Sequence, residues 1–450
     1  MLHTYHLKTF GCQMNKHDSE RIAGLLQQHG MEPVDEVGAA DAVIFMTCCV
    51  REKADVRLFG QVSSLKTLKK RNRGLPIIAV GGCIGQRDGE KLIEQIPHID
   101  VVFGTHNISS LPELIERAYN ESITQVEILD DSVDEFSADL PSVPESSFHA
   151  WLPITTGCNN YCTYCVVPYV RGKEKSRMLE TIVDDAKQMV DAGVKEITLL
   201  GQNVNSYGRD LYGEPRFADL LDKIALGGIS RLGFATSHPK DLNDDTIAMM
   251  ARHDNILDYL HLPVQSGSTA ILEAMNRRYS KEQYLELIDR VREVMPGIAL
   301  STDIIVGFPG ESEDDFEDTL EVVRAAQFSS AFTFIYSPRE GTPAATLEGQ
   351  VPDAVSQRRF ERLVDEVQAQ ALEFSRSLRG TKASVLFEGI SKRDENVLVG
   401  RDRHNKVVHV VLPEHTSAEQ WEGFETEVAI TGAHTWYITG ELSQTDPEEN

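Results

Sequence analysis

The chain has 450 residues, length enough for two to four domains, and its 41% apolar and 25% charged content is ordinary for a soluble globular protein, which sets aside fibrous and disordered classes. Its 44 basic and 70 acidic residues leave a net charge of −26, which excludes a uniformly basic nucleic-acid-binding surface and leaves room only for a local basic patch. No run of about eighteen apolar residues occurs, so no membrane span is expected, and no apolar export segment follows the N-terminus; with seven cysteines in no dense framework, a reducing, cytoplasmic setting is expected.

Over residues 1–120, apolar runs alternate with amphipathic stretches. Strands are predicted at 5–10, 42–47, 77–80 and 101–103, and helices at 17–29, 52–70, 90–96 and 111–118. Such alternation predicts an α/β domain of flavodoxin-like size, a parallel sheet with helices on both faces. Cys12, Cys48 and Cys83 follow the first three strands. Ligands of open α/β sheets bind beyond the carboxyl ends of the strands, so thiols from three loops would meet there. Either they ligate an iron–sulfur cluster with one open iron, or they are small apolar side chains buried in a core. Lys66, Lys69, Lys70, Arg71 and Arg73 close the second helix. They are either a solvated helix end suited to the macrodipole or a phosphate-facing patch.

Residues 121–143 read as an acidic linker; 127–145 carries seven acids and no Lys or Arg. Next comes G-C-N-N-Y-C-T-Y-C at 157–165, with Cys158, Cys162 and Cys165 spaced C-x3-C-x2-C. Thiolates that close in sequence can hold three irons of a 4Fe-4S cluster and leave the fourth iron to a small molecule. A structural zinc takes four Cys or His ligands, and none follows within about ten residues; a disulfide use conflicts with the odd count and the compartment. The loop resembles that of the radical S-adenosylmethionine (SAM) enzymes. In that superfamily SAM chelates the open iron and is cleaved by one electron to a 5′-deoxyadenosyl radical. The stretch just beyond, with Arg171, Lys173, Lys175 and Arg177, is either solvent-facing charge or a contact for an anionic substrate such as RNA.

Within 144–376 strands are predicted at 151–156, 196–200, 231–235, 259–262, 298–305 and 331–336. Helices are predicted at 179–192, 217–226, 244–252, 270–275, 281–295, 312–326 and 356–376. About six βα units, fewer than the eight of a full barrel, fit a partial (β/α)6 barrel. Its strand ends carry Gly201-Gln202-Asn203, Ser237 in T-S-H-P, Gln265 in P-V-Q-S-G-S, and Asp303 with Gly307 in V-G-F-P-G-E. Each alone reads as a turn; at successive strand ends around a cysteine loop they outline a SAM pocket. Over 377–441 five short β-branched runs, at 385–388, 397–400, 407–412, 426–431 and 435–440, predict a small OB-like barrel. Between residues 376 and 410 eight Lys and Arg, among them Lys392, Arg393, Arg401 and Arg403, face four acids, a candidate RNA surface. Residues 442–450 read as an acidic tail.

The motifs T-F-G-C-Q-M-N-K-H-D-S-E (9–20), T-C-C-V-R-E-K-A (47–54) and G-G-C-I-G-Q (81–86), with C-N-N-Y-C-T-Y-C-V-V-P-Y-V-R-G, L-L-G-Q-N-V-N-S-Y-G, H-L-P-V-Q-S-G-S and V-G-F-P-G-E, resemble those of the radical-SAM methylthiotransferases. The resemblance runs through 1–120, 144–376 and 377–441, the last similar to the TRAM RNA-binding module. It implies that Cys12, Cys48 and Cys83 hold an auxiliary 4Fe-4S cluster beside the SAM-binding cluster of Cys158, Cys162 and Cys165. Two departures are Met46, where the family has Asn, and Cys49, an extra thiol read as a bystander. It places Gly201 to Asn203 near the methionyl end of SAM, Ser237 near its ribose or carboxylate, and Gly307 near its adenine.

The wording of these motifs resembles the branch acting on N6-(dimethylallyl)adenosine beside the tRNA anticodon. Threonylcarbamoyl-adenosine of tRNA and a ribosomal-protein aspartate are the sister substrates. The implied reaction spends two SAM, one as methyl donor to a sulfur on the auxiliary cluster and one as radical source. It needs tRNA, a reducing electron donor and a sulfur-supplying or cluster-assembly system, and a monomer is expected. A non-catalytic iron–sulfur RNA-binding protein is the reading from another class; it would need no SAM pocket.

Overall fold

The computed structural model describes residues 2–48, 52–72, 74–129 and 140–443; Cys49, Arg73, much of the acidic linker and the tail from 444 onward lie outside that range. The chain forms two compact units. One comprises Met1–Glu145 with Thr156–Tyr161 and Cys165–Lys175; the other comprises Ser146–Thr155, Cys162–Tyr164 and Ser176–Asn450. Among the described residues no helix is long and apolar enough to cross a membrane.

The first unit is built on six strands: β1 (Thr4–Thr9), β2 (Glu32–Pro33), β3 (Ala42–Thr47), β4 (Ile77–Gly82), β5 (Val101–Phe103) and β6 (Gln125–Glu127). They lie in the order β2-β1-β3-β4-β5-β6, every pair parallel. Every residue of β3 and β4 is buried, because central parallel strands are covered on both faces and so read as unbroken apolar runs. Successive side chains point to opposite faces. Ile44 and Ala79 therefore join one core with Ile22, Leu26 and Leu114, and Val43, Phe45, Ile78 and Val80 join the other with Leu58 and Val62. The covering helices are α1 (Gln13–Gln28), α2 (Glu52–Arg71), α3 (Cys83–Asp88), α4 (Glu90–Gln95) and α5 (Leu111–Glu121).

Three details differ from expectation. The first helix starts at Gln13, directly after Cys12, not at 17; its early polar residues Asn15, Asp18 and Ser19 are buried, which no amphipathic pattern signals. Cys83 opens a helix of its own. Strands β2 and β6 are edge strands too short to show a period of two, and β6 takes up residues read as linker. Of the basic run on α2, Lys69 pairs with Asp100, whereas Lys66, Lys70 and Arg71 are exposed.

In the second unit six strands form two parallel sheets of three. One orders Arg231–Phe234, Glu196–Leu200 and His149–Pro153; the other orders Tyr259–His261, Ala299–Val306 and Ser330–Ile335. A single bridge, Leu232 to Ile256, carries the first toward the second. One core joins strand and helix residues, including Leu199, Leu232, Leu260, Ile304, Leu220, Tyr284 and Leu320. Ser280 and Ser312 start their helices with capping boxes. The helix Asp353–Leu378 leads into a closed barrel of Lys382–Ser391, Asp394–Asp402, Val407–Val411, Glu425–Ala433 and Tyr437–Leu442, with the third strand parallel to the fifth. Phe387, Leu398, Val408, Trp421 and Ile430 fill it, and closure leaves no free sheet edge.

Candidate functional site

Cys12 caps α1, Cys48 follows β3 and Cys83 opens α3, so all three stand at the carboxyl ends of neighbouring strands. Cys48 and Cys83 are buried and Cys12 is exposed. Gly11, at φ +126°, passes so close that a Cβ there would sit 2.4 Å from the Cβ of Cys48; only glycine admits this approach. Asn15 locks the loops together, its Nδ2 donating to the carbonyls of Phe10 and Thr47, both at 2.8 Å. The Thr47 hydroxyl donates to the Gly81 carbonyl at 2.6 Å and ties in the third loop.

Arg171 completes this network. Its Nη2 donates to Asn15 Oδ1 at 3.0 Å and to Asp18 at 2.8 Å, with side chains only 5% and 7% exposed. The expected RNA contact at Arg171 is therefore corrected: its charge is buried in the first unit and acts on Cys12 and Cys83. A hydrogen bond with the Cys48 side chain pulls the Cys12 thiol down, desolvation pushes it back up and Arg171 lowers it again, for a net value of about 6. A thiol so placed is largely thiolate at neutral pH, the form that binds metal. No three His, Cys, Asp or Glu side chains among the described residues converge as tightly as a single metal ion requires; a 4Fe-4S cluster spreads its thiolates over separate corners. The donor chemistry and the buried cation thus fit a cluster. In iron-free protein, alkylation of Cys12 should follow a titration centred near 6, slowing as pH falls below it, and Cys48→Ala should move that midpoint up. Peptide mass spectrometry across pH reads this out; a midpoint at an ordinary thiol value of roughly 8.5 would contradict it.

On the second cysteine loop Cys158 and Cys162 are buried and Cys165 is half-buried. One neighbour was not singled out in the sequence: Arg277, whose Nη1 lies 3.6 Å from Cys162 Sγ.

At the strand ends, four buried polar atoms have no hydrogen-bond partner: Asn203 Oδ1, Asn205 Nδ2, Ser237 Oγ and His238 Nε2. They are brought together by one backbone bond, Val204 N–H to Thr236 O at 3.1 Å, and by one to a side chain, His238 N–H to Asn205 Oδ1 at 3.0 Å. Burial first, then the charges of Arg277 and Lys240, hold His238 neutral. Its Nδ1 accepts the Lys240 N–H at 3.2 Å, so the proton sits on the unpartnered Nε2. Buried polar groups almost always find partners, and this cradle fits a polar ligand such as SAM. Gln265 is buried beside Asp303, donating its N–H to the Asp303 carbonyl at 2.9 Å. Asp303 sits within its strand, which runs to Val306, and its carboxylate lies 3.6 Å from His261 Nε2. Gly201 and half-buried Gln202 follow the strand Glu196–Leu200. Gly307, at φ +74°, would drive a Cβ to 2.3 Å from Ser356 Oγ. Its N–H donates to Glu311 at 2.9 Å, and Glu311 pairs with Arg359 at 2.8 Å, both buried.

The basic residues expected to meet RNA divide sharply. Arg177 is buried, bonded to Asp185 at 2.5 Å and the Pro153 carbonyl at 3.1 Å. Arg401 pairs with Glu388 at 2.8 Å, and Arg403 with Asp258 at 2.9 Å. Arg177, like Arg171, is paired inside the fold, a correction with a simple cause: charge is visible in a sequence, its counter-ion is not; Arg401, 39% exposed, and half-buried Arg403 keep surface ion pairs. Lys173 is exposed, Lys175 is half-buried, and Lys392 and Arg393 stand exposed at a hairpin tip. A feature missed in the sequence lies on the C-terminal barrel, where His409 and His434 stack on Tyr437 at 4.4 and 4.3 Å beside Trp436, 54% exposed. The run H-T-W-Y at 434–437 was its signal.

Residues 152–323 match the radical SAM superfamily, and residues 4–104 match the uncharacterized protein family UPF0004. The tRNA-2-methylthio-N(6)-dimethylallyladenosine synthase of Thermoanaerobacter sp. (strain X514) is 49% identical over 441 residues, covering 97% of this chain and 92% of that protein. The synthase of the same name from Carboxydothermus hydrogenoformans is 46% identical, covering 98% and 99%. In fold, the radical SAM methyltransferase TsrM of Kitasatospora setae is similar at a TM-score of 0.53 over 76% of this chain and 75% of that one, at 14% identity. Fold and cysteine motifs define a radical-SAM enzyme. The chain belongs to the family of tRNA-2-methylthio-N(6)-dimethylallyladenosine synthases.

Proposed function

We propose that this chain is a cytoplasmic tRNA methylthiotransferase that converts N6-(dimethylallyl)adenosine beside the anticodon to its 2-methylthio derivative. The observation that carries the reading is the pair of cysteine trios, each backed by a buried arginine, in a chain 49% identical to a synthase of that name. Cys12, Cys48 and Cys83 would hold the auxiliary 4Fe-4S cluster, and Cys158, Cys162 and Cys165 the one that binds SAM. When bound, these groups supply the methylated sulfur and the 5′-deoxyadenosyl radical that an unactivated adenine C2–H demands, beyond the reach of acid–base catalysis.

The protein's own work is placement. Asn15 and Thr47 fix the loops of the first trio. Asn203, Asn205, Ser237 and the Nε2–H of His238 would meet the polar groups of SAM, with Gly201, Gln202, Gln265, Asp303 and Gly307 around them. A base must leave its stack to be reached. Lys173, Lys175, Lys392 and Arg393 suit phosphate, and the rings around Tyr437 suit unstacked bases. Turnover also needs a one-electron donor and a sulfur-supplying system.

Trp436→Ala, at the exposed ring of this cluster, should weaken tRNA binding roughly fivefold to a hundredfold, the worth of one stacked base at about 1–3 kcal/mol, with SAM cleavage in the absence of tRNA unchanged. Binding isotherms at fixed salt decide; equal affinities would remove the barrel face from the RNA path. The central test is anaerobic reconstitution followed by dithionite, SAM and dimethylallyl-adenosine tRNA. Roughly eight irons per chain and a methylthio nucleoside by mass spectrometry are expected. Iron without any SAM cleavage would support the non-catalytic reading. Cleavage without product on this tRNA would point to a sister substrate.

A further inference from the structure

Five arginines are buried among the described residues: Arg171, Arg177, Arg231, Arg277 and Arg359. Four of them have a carboxylate: Arg171 with Asp18, Arg177 with Asp185, Arg231 with Glu196, and Arg359 with Glu311. Arg277, 4% exposed, does not. Its Nε donates to the Tyr279 hydroxyl at 2.9 Å, its Nη2 to the Pro263 carbonyl at 2.7 Å, and its Nη1 points at Cys162 Sγ at 3.6 Å. The guanidinium also lies 5.3 Å from the centre of the Tyr279 ring. All of these partners are neutral except the cysteine, once it is a thiolate. A buried charge is stable only when paired, so the counter-ion of Arg277 is to be sought at Cys162.

The turn that carries Arg277 is built for this placement. Asn276 and Arg278 on either side both adopt φ +59°, a costly conformation for arginine. Arg277 turns inward between them, whereas Arg278 is exposed. The turn grips the residue next to Cys162 directly: Thr163 donates its N–H to the Met275 carbonyl at 3.1 Å and its hydroxyl to the Ala274 carbonyl at 2.8 Å. Loop and cation are therefore held in one register.

We propose that Arg277 is the counter-cation and positioning residue of the cluster on Cys158, Cys162 and Cys165, and that it raises the reduction potential of that cluster. Three thiolates on a 4Fe-4S core make an anion that gains a further negative charge when it takes up one electron. A fixed positive charge and an N–H···S bond stabilise the reduced form more than the oxidised one. The inference rests on the reading of this trio as the SAM-binding cluster.

The test is a dithionite-poised redox titration of the full chain, reconstituted with both clusters, following the electron paramagnetic resonance signal that changes when SAM is added. If the unsubstituted protein shows no SAM-responsive signal, the cluster reading itself fails, separately from the role of Arg277. In Arg277→Met the reduced-to-oxidised ratio at fixed potential should fall at least tenfold, about 59 mV for one electron. Arg277→Lys, which keeps the charge, should recover most of the shift. Loss of this cluster from Arg277→Met but not from Arg277→Lys would also support the proposal. An unchanged midpoint in Arg277→Met, or equal shifts or equal cluster loss in both variants, would overturn it and leave Arg277 a packing role.

Discussion

Alanine at Cys12, Cys48 or Cys83 is expected to abolish methylthio product while SAM cleavage to 5′-deoxyadenosine persists, and to lower iron from about eight to about four per chain. The separation follows from where these thiols stand. Each belongs to a different loop at the end of β1, β3 or β4, and the sheet beneath is held by two apolar cores that none of the three substitutions empties. Cys83 alone touches a core, and the loss of one sulfur there is small beside the iron-binding it ends. Alanine at Cys158, Cys162 or Cys165 should instead stop both deoxyadenosine and product. Product from Cys12→Ala at the normal rate would disprove the auxiliary site; loss of deoxyadenosine from the same variant would show that the two cysteine sets do not work independently.

Arg231→Met is expected to destabilise the second unit by about 3–5 kcal/mol. The Arg231 side chain is 1% exposed, with Nε at 2.7 Å from Glu196 and Nη1 at 3.2 Å from Glu425. Its Nη2 donates to the carbonyls of Arg401 and Asp402 at 3.3 and 3.0 Å. One guanidinium thus ties a strand of the SAM-domain sheet to two strands of the C-terminal barrel. Its removal leaves Glu196 and Glu425 facing each other's field with no cation. Denaturant titration would show the loss, and limited proteolysis should cut before Lys382. The double variant Arg231→Met, Glu196→Leu should recover part of the loss, because an empty apolar site costs less than a stranded charge. By contrast, breaking the exposed pair Lys382–Glu427 should cost no more than about 1 kcal/mol. Equal effects at the two sites would mean that Arg231 is not the tie.

The predicted strands at 42–47, 101–103 and 196–200 coincide with the observed ones. All three are short β-branched or apolar runs in parallel sheets; the first two are buried on both faces, which leaves a strong local signature, and the third alternates half-buried with buried residues over its first four positions. The early start of α1 was hidden because Asn15 and Asp18 face inward, toward the cysteine loops and Arg171, and so break the amphipathic period. The strand β6 was read as linker because three residues carry no period at all. The cysteine trios were legible because ligand chemistry demands particular residue types at particular places, the second in a tight spacing and the first at strand ends.

What the sequence determined by itself was most of the longer elements, the βα alternation, the two sets of cysteines and the family motifs, all of which are local along the chain. Only the tertiary structure decided the partners. It turned Arg171 and Arg177 from candidate RNA contacts into buried ion pairs. It left Arg277 without a carboxylate beside Cys162, and gathered Asn203, Asn205, Ser237 and His238 into one cradle of unpaired polar atoms. The physical reason is common to all of these. A charge or a polar atom is written at one position, but the energy of burying it depends on what lies against it, and that neighbour comes from a distant part of the chain: Asp18 lies 153 residues from Arg171, and Cys162 lies 115 from Arg277.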